Sequence, residues 1–112
     1  MTPRRGEIWL VDFGEPVGRE QAGTRPAVVV STDALNKGPA GVVLVVPLTS
    51  TRRQLPSHVE IERGESGLDH PSYARCEDVQ SISERRFVDR LGVAGLEPML
   101  KMARVLRYLL EL

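Results

Sequence analysis

An arginine and a pair of hydroxyl residues lie at opposite ends of two successive apolar segments. Arg25 comes just before the apolar segment 26–30, and Thr49 and Ser50 follow the next one, at 42–48. If the two segments form neighbouring antiparallel strands, the start of the first lies beside the end of the second. A guanidinium offers paired donors and hydroxyls add single ones, a combination that suits an anion. These residues therefore predict a small anion site, with phosphate as the expected guest.

The elements that must position this site are short strands followed by one helix. Alternating or wholly apolar segments predict strands at 7–13, 26–31, 42–46, 56–62, 72–77 and 90–93. The strand at 26–31 is expected to begin with its proline, and 42–46 is expected at the centre of the sheet, covered on both faces. Turn residues fill 33–41, and Ser83 is expected to cap a short helix at 84–89.

Apolar residues at three- and four-residue steps predict a longer helix that begins near Pro98 and packs on the sheet. Together these elements predict a mainly β domain with a C-terminal helix, a small barrel of five to seven strands that spans residues 1–112 as a single domain. Loops as long as 14–24 often carry function.

Composition is that of an ordinary globular chain, with 41% hydrophobic and 27% charged residues in 112. No apolar segment approaches the ~20 residues of a membrane span, and no secretory start is visible. We therefore expect a cytoplasmic protein. Cys76, the one cysteine, cannot form an internal disulfide and is expected to be a buried strand residue.

Charge is balanced overall but clustered locally. Fifteen basic residues oppose fifteen acidic ones, so the whole molecule lacks the basic excess typical of nucleic-acid-binding domains. Arg52 and Arg53, however, lie in a stretch from Thr49 to His58 that has no acid. Contact with a phosphate backbone and simple solvation both remain open for this pair.

Several sequence blocks, taken in order, resemble one known family. They are Arg5-Gly6-Glu7-Ile8-Trp9, Glu20-Gln21-Ala22-Gly23-Thr24-Arg25-Pro26, Val46-Pro47-Leu48-Thr49-Ser50, Leu55-Pro56-Ser57-His58-Val59, Ala74-Arg75-Cys76-Glu77-Asp78, Ser81-Ile82 and Arg86-Phe87. In order and spacing the chain is similar to the MazF/PemK-type toxins over almost its whole length.

The resemblance implies an SH3-like β-barrel that acts as a homodimer and cuts single-stranded RNA at specific sequences, with no metal and no other cofactor. It implies a cognate MazE-like antitoxin that lies across the RNA groove and through which the complex binds operator DNA. The family's principal catalytic residues match Arg25 and Thr49, and in a plasmid-borne relative the residues that match Arg75 and Glu77 are also implicated. That relative has a histidine in its first long loop. The loop 14–24 here has none, which counts against a histidine-assisted route.

The chemistry expected from these residues is attack by the ribose 2′-hydroxyl on its neighbouring phosphate. Arg25, with Thr49 and Ser50, would stabilise the charge that develops on the phosphorane. Glu77 is the candidate general base, and Arg75 would hold its carboxylate or a second phosphate. The leaving 5′-oxygen would take its proton from water, because an arginine keeps its own proton.

Base recognition is assigned to the loops on either side of this site. Glu20 and Gln21 are candidate base readers in the first loop, and the loop 51–56, with Arg52 and Arg53, is expected to contact the RNA.

Less specific interpretations remain beside these. Arg25 could form a surface ion pair with Glu20, Thr49 and Ser50 could form an ordinary turn, and Glu77 could be a solvated strand end. His58, His70 and Cys76 do not make a convincing zinc site.

Two other functions are open. One is poisoning of DNA gyrase by a CcdB-like toxin that cuts nothing, although that activity relies on a C-terminal tryptophan and the only Trp here is Trp9. The other is a peptide-binding SH3-like adaptor, which needs an aromatic groove that 4% aromatic residues hardly supply.

Overall fold

The structure is a computed structural model that describes residues 2–15 and 23–112. In these residues seven strands form one antiparallel sheet. The elements are β1 (Glu7–Asp12), β2 (Thr24–Val29), α1 (Asp33–Lys37), β3 (Val42–Thr49), β4 (His58–Ile61), β5 (Ser72–Arg75), β6 (Gln80–Ser83), β7 (Phe87–Val93) and α2 (Leu96–Leu110). The predicted class, mainly β with a C-terminal helix, is confirmed.

Strand β3 pairs with three other strands, more than any other described strand. The strand order is β4-β5-β3-β2-β1-β7, and β6 also pairs with β3. One edge of β3 faces β2, while the other is shared by β6 along Val42–Val45 and by β5 at Leu48 and Thr49. Among the described strands no pairing joins β4 to β7, so the small barrel is open between them. Because β3 has partners along both edges, the backbone at its end, where Thr49 lies, is held in place.

Both faces of the sheet are covered by apolar side chains. Alternation along β2 sends Val28 into one cluster, which includes Met102 of α2, and Val29 into a second, which includes Trp9. Trp9 and Phe87 pack edge to face with ring centroids 5.8 Å apart. The central position expected for 42–46 is confirmed by the pairing of β3 along both edges. Val43, Val45 and Val46 are buried, whereas Val42 and Leu44 are only half-buried.

Helix α2 closes one face of the sheet and packs against β4 and the 3-10 turn Cys76–Asp78. Met102, which is 1% exposed, is its most deeply buried side chain. Within the part of the chain that the structure describes, no helix combines the length and the apolar character that crossing a bilayer requires.

Several local predictions need correction. The segment 33–41 is not all turn, because Asp33–Lys37 is helical and Thr32 caps it by accepting from the Leu35 amide. Strand β2 begins at Thr24 rather than Pro26, since Thr24 pairs with Asp12 of β1.

Towards the C-terminal part of the chain, β5 ends at Arg75, and β6 was not predicted since it holds a single large apolar residue. The helix expected at 84–89 is only the 3-10 turn Glu84–Arg86, because β7 already begins at Phe87; Ser83 caps this turn as predicted.

Candidate active site

Arg25 and Thr49 meet at one end of the sheet. Strands β2 and β3 are antiparallel neighbours in which Ala27 pairs with Pro47. The same register continued by two residues on each strand puts Arg25 opposite Thr49. The neighbouring ends that the sequence predicted for these two residues are therefore present, and cross-strand partners lie on the same face of a sheet.

A cleft of about 340 Å³ opens at this point. Most of the side chains that line it can donate hydrogen bonds. The lining residues are Arg25, Pro26, Leu48, Thr49, Ser50, Thr51, His70 and Ser72. Among the described residues, the lining contains a guanidinium, four hydroxyls and an imidazole, and no carboxylate. Such a cleft is suited to an anion of the size of a phosphodiester.

The hydroxyl of Thr49 also shapes the chain that leaves β3. Its Oγ1 accepts a hydrogen bond of 3.2 Å from the Thr51 amide, which is the local turn contact that the less specific interpretation anticipated. A hydroxyl that accepts through one lone pair can still donate its own proton. The turn contact therefore orients Thr49 without removing it as a donor to a bound anion.

Glu77 lies outside the lining of this cleft, on the 3-10 turn that follows β5. His58 Nε2 donates to Glu77 Oε2 over 2.9 Å, and Arg75 Nε is 4.0 Å from the same oxygen. Burial by itself raises the pKa of the Glu77 carboxyl. Hydrogen bonds from Ser57, from the Glu77 amide and from His58 outweigh it, so the pKa lies below its usual value. Glu77 is therefore ionised at neutral pH.

Arg75 is held mainly by a different acid. Its Nη2 is 2.9 Å from Asp78 Oδ2, closer than its approach to Glu77. Arg52 and Arg53 lie exposed in the loop between β3 and β4, beyond the lining residues of the cleft. Glu20 and Gln21 lie outside the described residues.

His58 and His70, which the sequence analysis considered only as zinc ligands, both lie near the candidate catalytic residues. The side chain of His58 is 3% exposed and pairs with Glu77, which is distant in sequence. Its backbone pairs with Arg75, so the neighbourhood follows from the register of β4 and β5. The sequence carries no signal for that register, because several alignments of two short strands bury equally many apolar residues.

His70 lines the cleft itself, together with Arg25 and Thr49. It precedes β5, and β5 runs antiparallel to β3 with Thr49 paired to Tyr73. Residues just before β5 therefore lie beside the end of β3. Once the pairing of β3 with β5 is known, this position follows; from the sequence alone the only sign is a histidine followed by Pro71 at the start of a strand.

Cys76 is buried, as predicted, although it begins a turn rather than lying within a strand. Burial, with a smaller contribution from the charge of Glu77, raises the pKa of its thiol to about 12. The thiol is thus protonated at neutral pH and is not a nucleophile. Within residues 2–15 and 23–112, no three or more His, Cys, Asp or Glu side chains are grouped to hold a metal ion.

Comparison with known proteins identifies the same family by sequence. A family model described as PemK-like, MazF-like toxin of type II toxin-antitoxin system matches residues 4–110. The chain is also similar to Endoribonuclease EndoA of Bacillus subtilis (strain 168), with 30% identity over 113 residues that cover 100% of this chain and 97% of that protein.

Solved structures with the same architecture are similar in sequence as well. MazF from Deinococcus radiodurans superposes with a TM-score of 0.88 at 26% identity, covering 100% of this chain and 99% of that one. An endoribonuclease from a mycobacterial species, solved in complex with its cognate antitoxin, superposes with a TM-score of 0.81 at 27% identity, covering 98% and 96% of the two chains.

Proposed function

The chain belongs to the PemK-like, MazF-like toxins of type II toxin-antitoxin systems, and from this we propose that it is a sequence-specific endoribonuclease that cleaves single-stranded RNA. The observation that carries the proposal is the cleft in which Arg25 of β2 and Thr49 of β3 lie side by side. Cleavage of RNA by its own 2′-hydroxyl requires stabilisation of charge on a phosphate, and this cleft concentrates donors for that purpose.

Arg25 and the hydroxyls act on the phosphorane. The guanidinium donates to the non-bridging oxygens, and Thr49 and Ser50 add shorter donors to the same charge. A donor aimed at charge that develops in the transition state is worth about 3–4 kcal/mol. These groups are supplied by strand ends whose positions are set by a continuous ladder, so little rearrangement is needed when the substrate binds.

Glu77 is the proposed general base. Its carboxylate takes the proton of the 2′-hydroxyl, the 2′-oxygen forms a bond to phosphorus, the bond from phosphorus to the 5′-oxygen breaks, and the leaving oxygen gains a proton. The products are a 2′,3′-cyclic phosphate and a 5′-hydroxyl end, and the step needs no metal. Support comes from the likeness of the Glu77 sequence block to the family and from the ionised state of Glu77 at neutral pH, which a proton acceptor requires. Arg75 would orient this carboxylate or contact a flanking phosphate.

The substrate would extend beyond the cleft along exposed loops. We assign backbone contacts to Arg52 and Arg53, which are exposed next to the strand that carries Thr49. Glu20 and Gln21 remain the proposed base readers, by the likeness of their sequence block to the family. Single-stranded RNA suits such loops because its unstacked bases expose their edges.

We further propose that the toxin is a cytoplasmic homodimer neutralised by a cognate MazE-like antitoxin, through which the complex binds operator DNA. The mycobacterial relative solved with its antitoxin supports the antitoxin. Gyrase poisoning, the alternative function, is not favoured, because the curated relative above is named an endoribonuclease.

The test is cleavage of a long RNA in buffer that contains EDTA, followed by mapping of the cut sites and their end groups. We expect cuts at one short recurring sequence, with 2′,3′-cyclic phosphate and 5′-hydroxyl ends. A DNA copy of the best site, which lacks the 2′-hydroxyl, should remain intact.

Arg25→Ala should lower kcat/KM by about 100-fold or more, because it removes the main donor to the phosphorane. Arg104→Ala is the matched control, since it removes the same charge from an exposed position on α2. Wild-type protein that leaves RNA uncut would refute the activity. Arg25→Ala protein that stays within a few-fold of wild type would refute the role of Arg25.

A further inference from the structure

We propose that His70 is the general acid that protonates the leaving 5′-oxygen, an inference that rests on the proposed endoribonuclease function. The sequence assigned protonation of that oxygen to water, because an arginine keeps its proton and the loop 14–24 has no histidine to assist. The structure brings a histidine from another loop, between β4 and β5, into the cleft of Arg25 and Thr49.

The imidazole of His70 is accessible and has one nitrogen left for the substrate. Its side chain is 58% exposed, and its Nδ1 is 3.1 Å from the carboxylate oxygen Oδ1 of Asp69. The contact with Asp69 engages Nδ1 and leaves Nε2 as the nitrogen that can face a ligand. Pro71 follows immediately and restricts the backbone of His70 to extended conformations.

The loop that carries His70 is tied to the core on both sides of it. Before it, the buried Ser66 donates to the Glu62 carbonyl over 2.7 Å and accepts from the Leu68 amide over 3.2 Å, and Leu68 enters the core. After it, Ser72 is 3% exposed and opens β5. These contacts fix the backbone on both sides of His70 and hold the residue at the cleft, within reach of a bound substrate.

Among the described residues that line the cleft, His70 is the one suited to give up a proton. Arginine does not give up its proton in proteins, and the pKa of a serine or threonine hydroxyl is too high for that purpose. Imidazole is the side chain that gains and loses a proton close to neutral pH. As the bond from phosphorus to the 5′-oxygen breaks, the Nε2 proton passes to that oxygen, and Glu77 holds the proton taken from the 2′-hydroxyl. The two groups return to their starting states by exchange with water.

Within the part of the chain that the structure describes, two charged residues lie near His70. Asp69 is on its own loop, and Arg25 lines the same cleft from β2. The other described lining residues are uncharged. A general acid acts in its protonated form, so the cleavage rate should fall at high pH.

The test compares two RNA substrates, identified by the cut-site mapping above, that differ in one atom at the scissile bond. One has the natural 5′-oxygen, and the other has sulfur, which leaves without a proton. His70→Gln should cut the oxygen substrate about 100-fold more slowly than wild type. It should cut the sulfur substrate within a few-fold of wild type, and it should lose the fall in rate at high pH.

His70→Arg separates acid catalysis from charge. It keeps a cation in the cleft but holds its proton, so it should be as slow as His70→Gln on the oxygen substrate. Recovery of most of the activity by His70→Arg would overturn the proposal and make His70 a phosphate-binding residue. Equal losses on both substrates would overturn it too. Either result leaves wild-type cleavage intact, whereas failure of the proposed function would abolish cleavage by the wild type itself.

Discussion

At the scale of single residues, hydrogen bonds from Ser57, from the Glu77 amide and from His58 keep the candidate base charged. His58 is almost fully buried, and its Nε2 is 2.9 Å from the Glu77 carboxylate, whose side chain is 35% exposed. A carboxylate that is half in water and receives several hydrogen bonds keeps its charge, because those bonds exceed the cost of its partial burial. The same bonds couple its ionisation to folding.

Glu77→Gln should therefore flatten the acid dependence of stability. The folded-state pKa of Glu77 lies below its ordinary value of 4.5, so its contribution is present above that value and is lost as pH falls through the folded-state pKa. The wild type should exceed the variant in stability at pH 6, and the difference should shrink towards pH 3. Urea unfolding across this range measures it.

Glu60→Gln, an exposed carboxylate on β4, is the matched control. The prediction fails if Glu77→Gln and Glu60→Gln have the same pH dependence of the unfolding midpoint.

The residues of the cleft differ in how far the sequence could identify them. Arg25 and Thr49 could be predicted because they flank two apolar segments that follow one another in the sequence and pair as neighbouring strands. The family likeness also covers both residues. The positions of His58 and His70 could not be predicted, because they depend on which strands β4 and β5 pair with. Long-range packing determines this strand pairing, and local sequence patterns do not encode it.

At the scale of elements, strand β7 and the loop that carries His70 are packed backbone to backbone. The Val93 amide donates to the Glu65 carbonyl over 2.8 Å. An added Cβ at Gly92 would overlap the same carbonyl oxygen of Glu65 and the backbone of Ser66. Glycine at 92 is therefore required by close approach, and this contact helps to hold the loop in place.

Gly92→Ala should lower the free energy of unfolding by about 3 kcal/mol or more, since backbone atoms on both sides must shift to admit the methyl group. Gly64→Ala is the control in the same loop. An added Cβ at Gly64 meets open space, and only its backbone angle φ of +117° resists substitution, so about 1–2 kcal/mol is expected. Denaturant unfolding measures both; equal losses would show that conformation rather than close approach makes Gly92 necessary.

The elements themselves were predicted best where the pattern was long or strongly apolar. Strands β1 and β3 and helix α2 have such patterns and were found, with ends displaced by a few residues. Helix α1 was missed because its five residues lie among turn formers, and β6 because its pattern is mostly polar. In both cases neighbouring structure overrides weak local preference: Thr32 caps α1, and β6 fills the free edge of β3.

At the scale of the whole molecule, the net charge of zero means that attraction to RNA must be local. The described lining residues of the cleft include Arg25 and no carboxylate, and the adjoining loop adds Arg52 and Arg53. Acidic residues elsewhere balance these charges. Affinity for RNA should therefore depend on a few phosphate contacts rather than on the field of the molecule.

This distinction can be measured through salt. Each phosphate contact with single-stranded nucleic acid contributes about 0.7 to the slope of log affinity against log salt. If Arg52 and Arg53 each contact one phosphate, replacing both with alanine should reduce that slope by about 1.4. The measurement is fluorescence anisotropy with an RNA that carries a 2′-O-methyl group at the mapped cut site, which binds without being cleaved.

The pair Arg104→Ala and Arg107→Ala is the matched control, because it removes the same charge from exposed positions on α2. A local mechanism predicts that the slope changes for the loop pair and stays the same for the helix pair, since charges beyond about 8–10 Å are largely screened at physiological salt. Equal changes in both double variants would mean that total charge drives binding. No change in either would remove Arg52 and Arg53 from the RNA-binding surface.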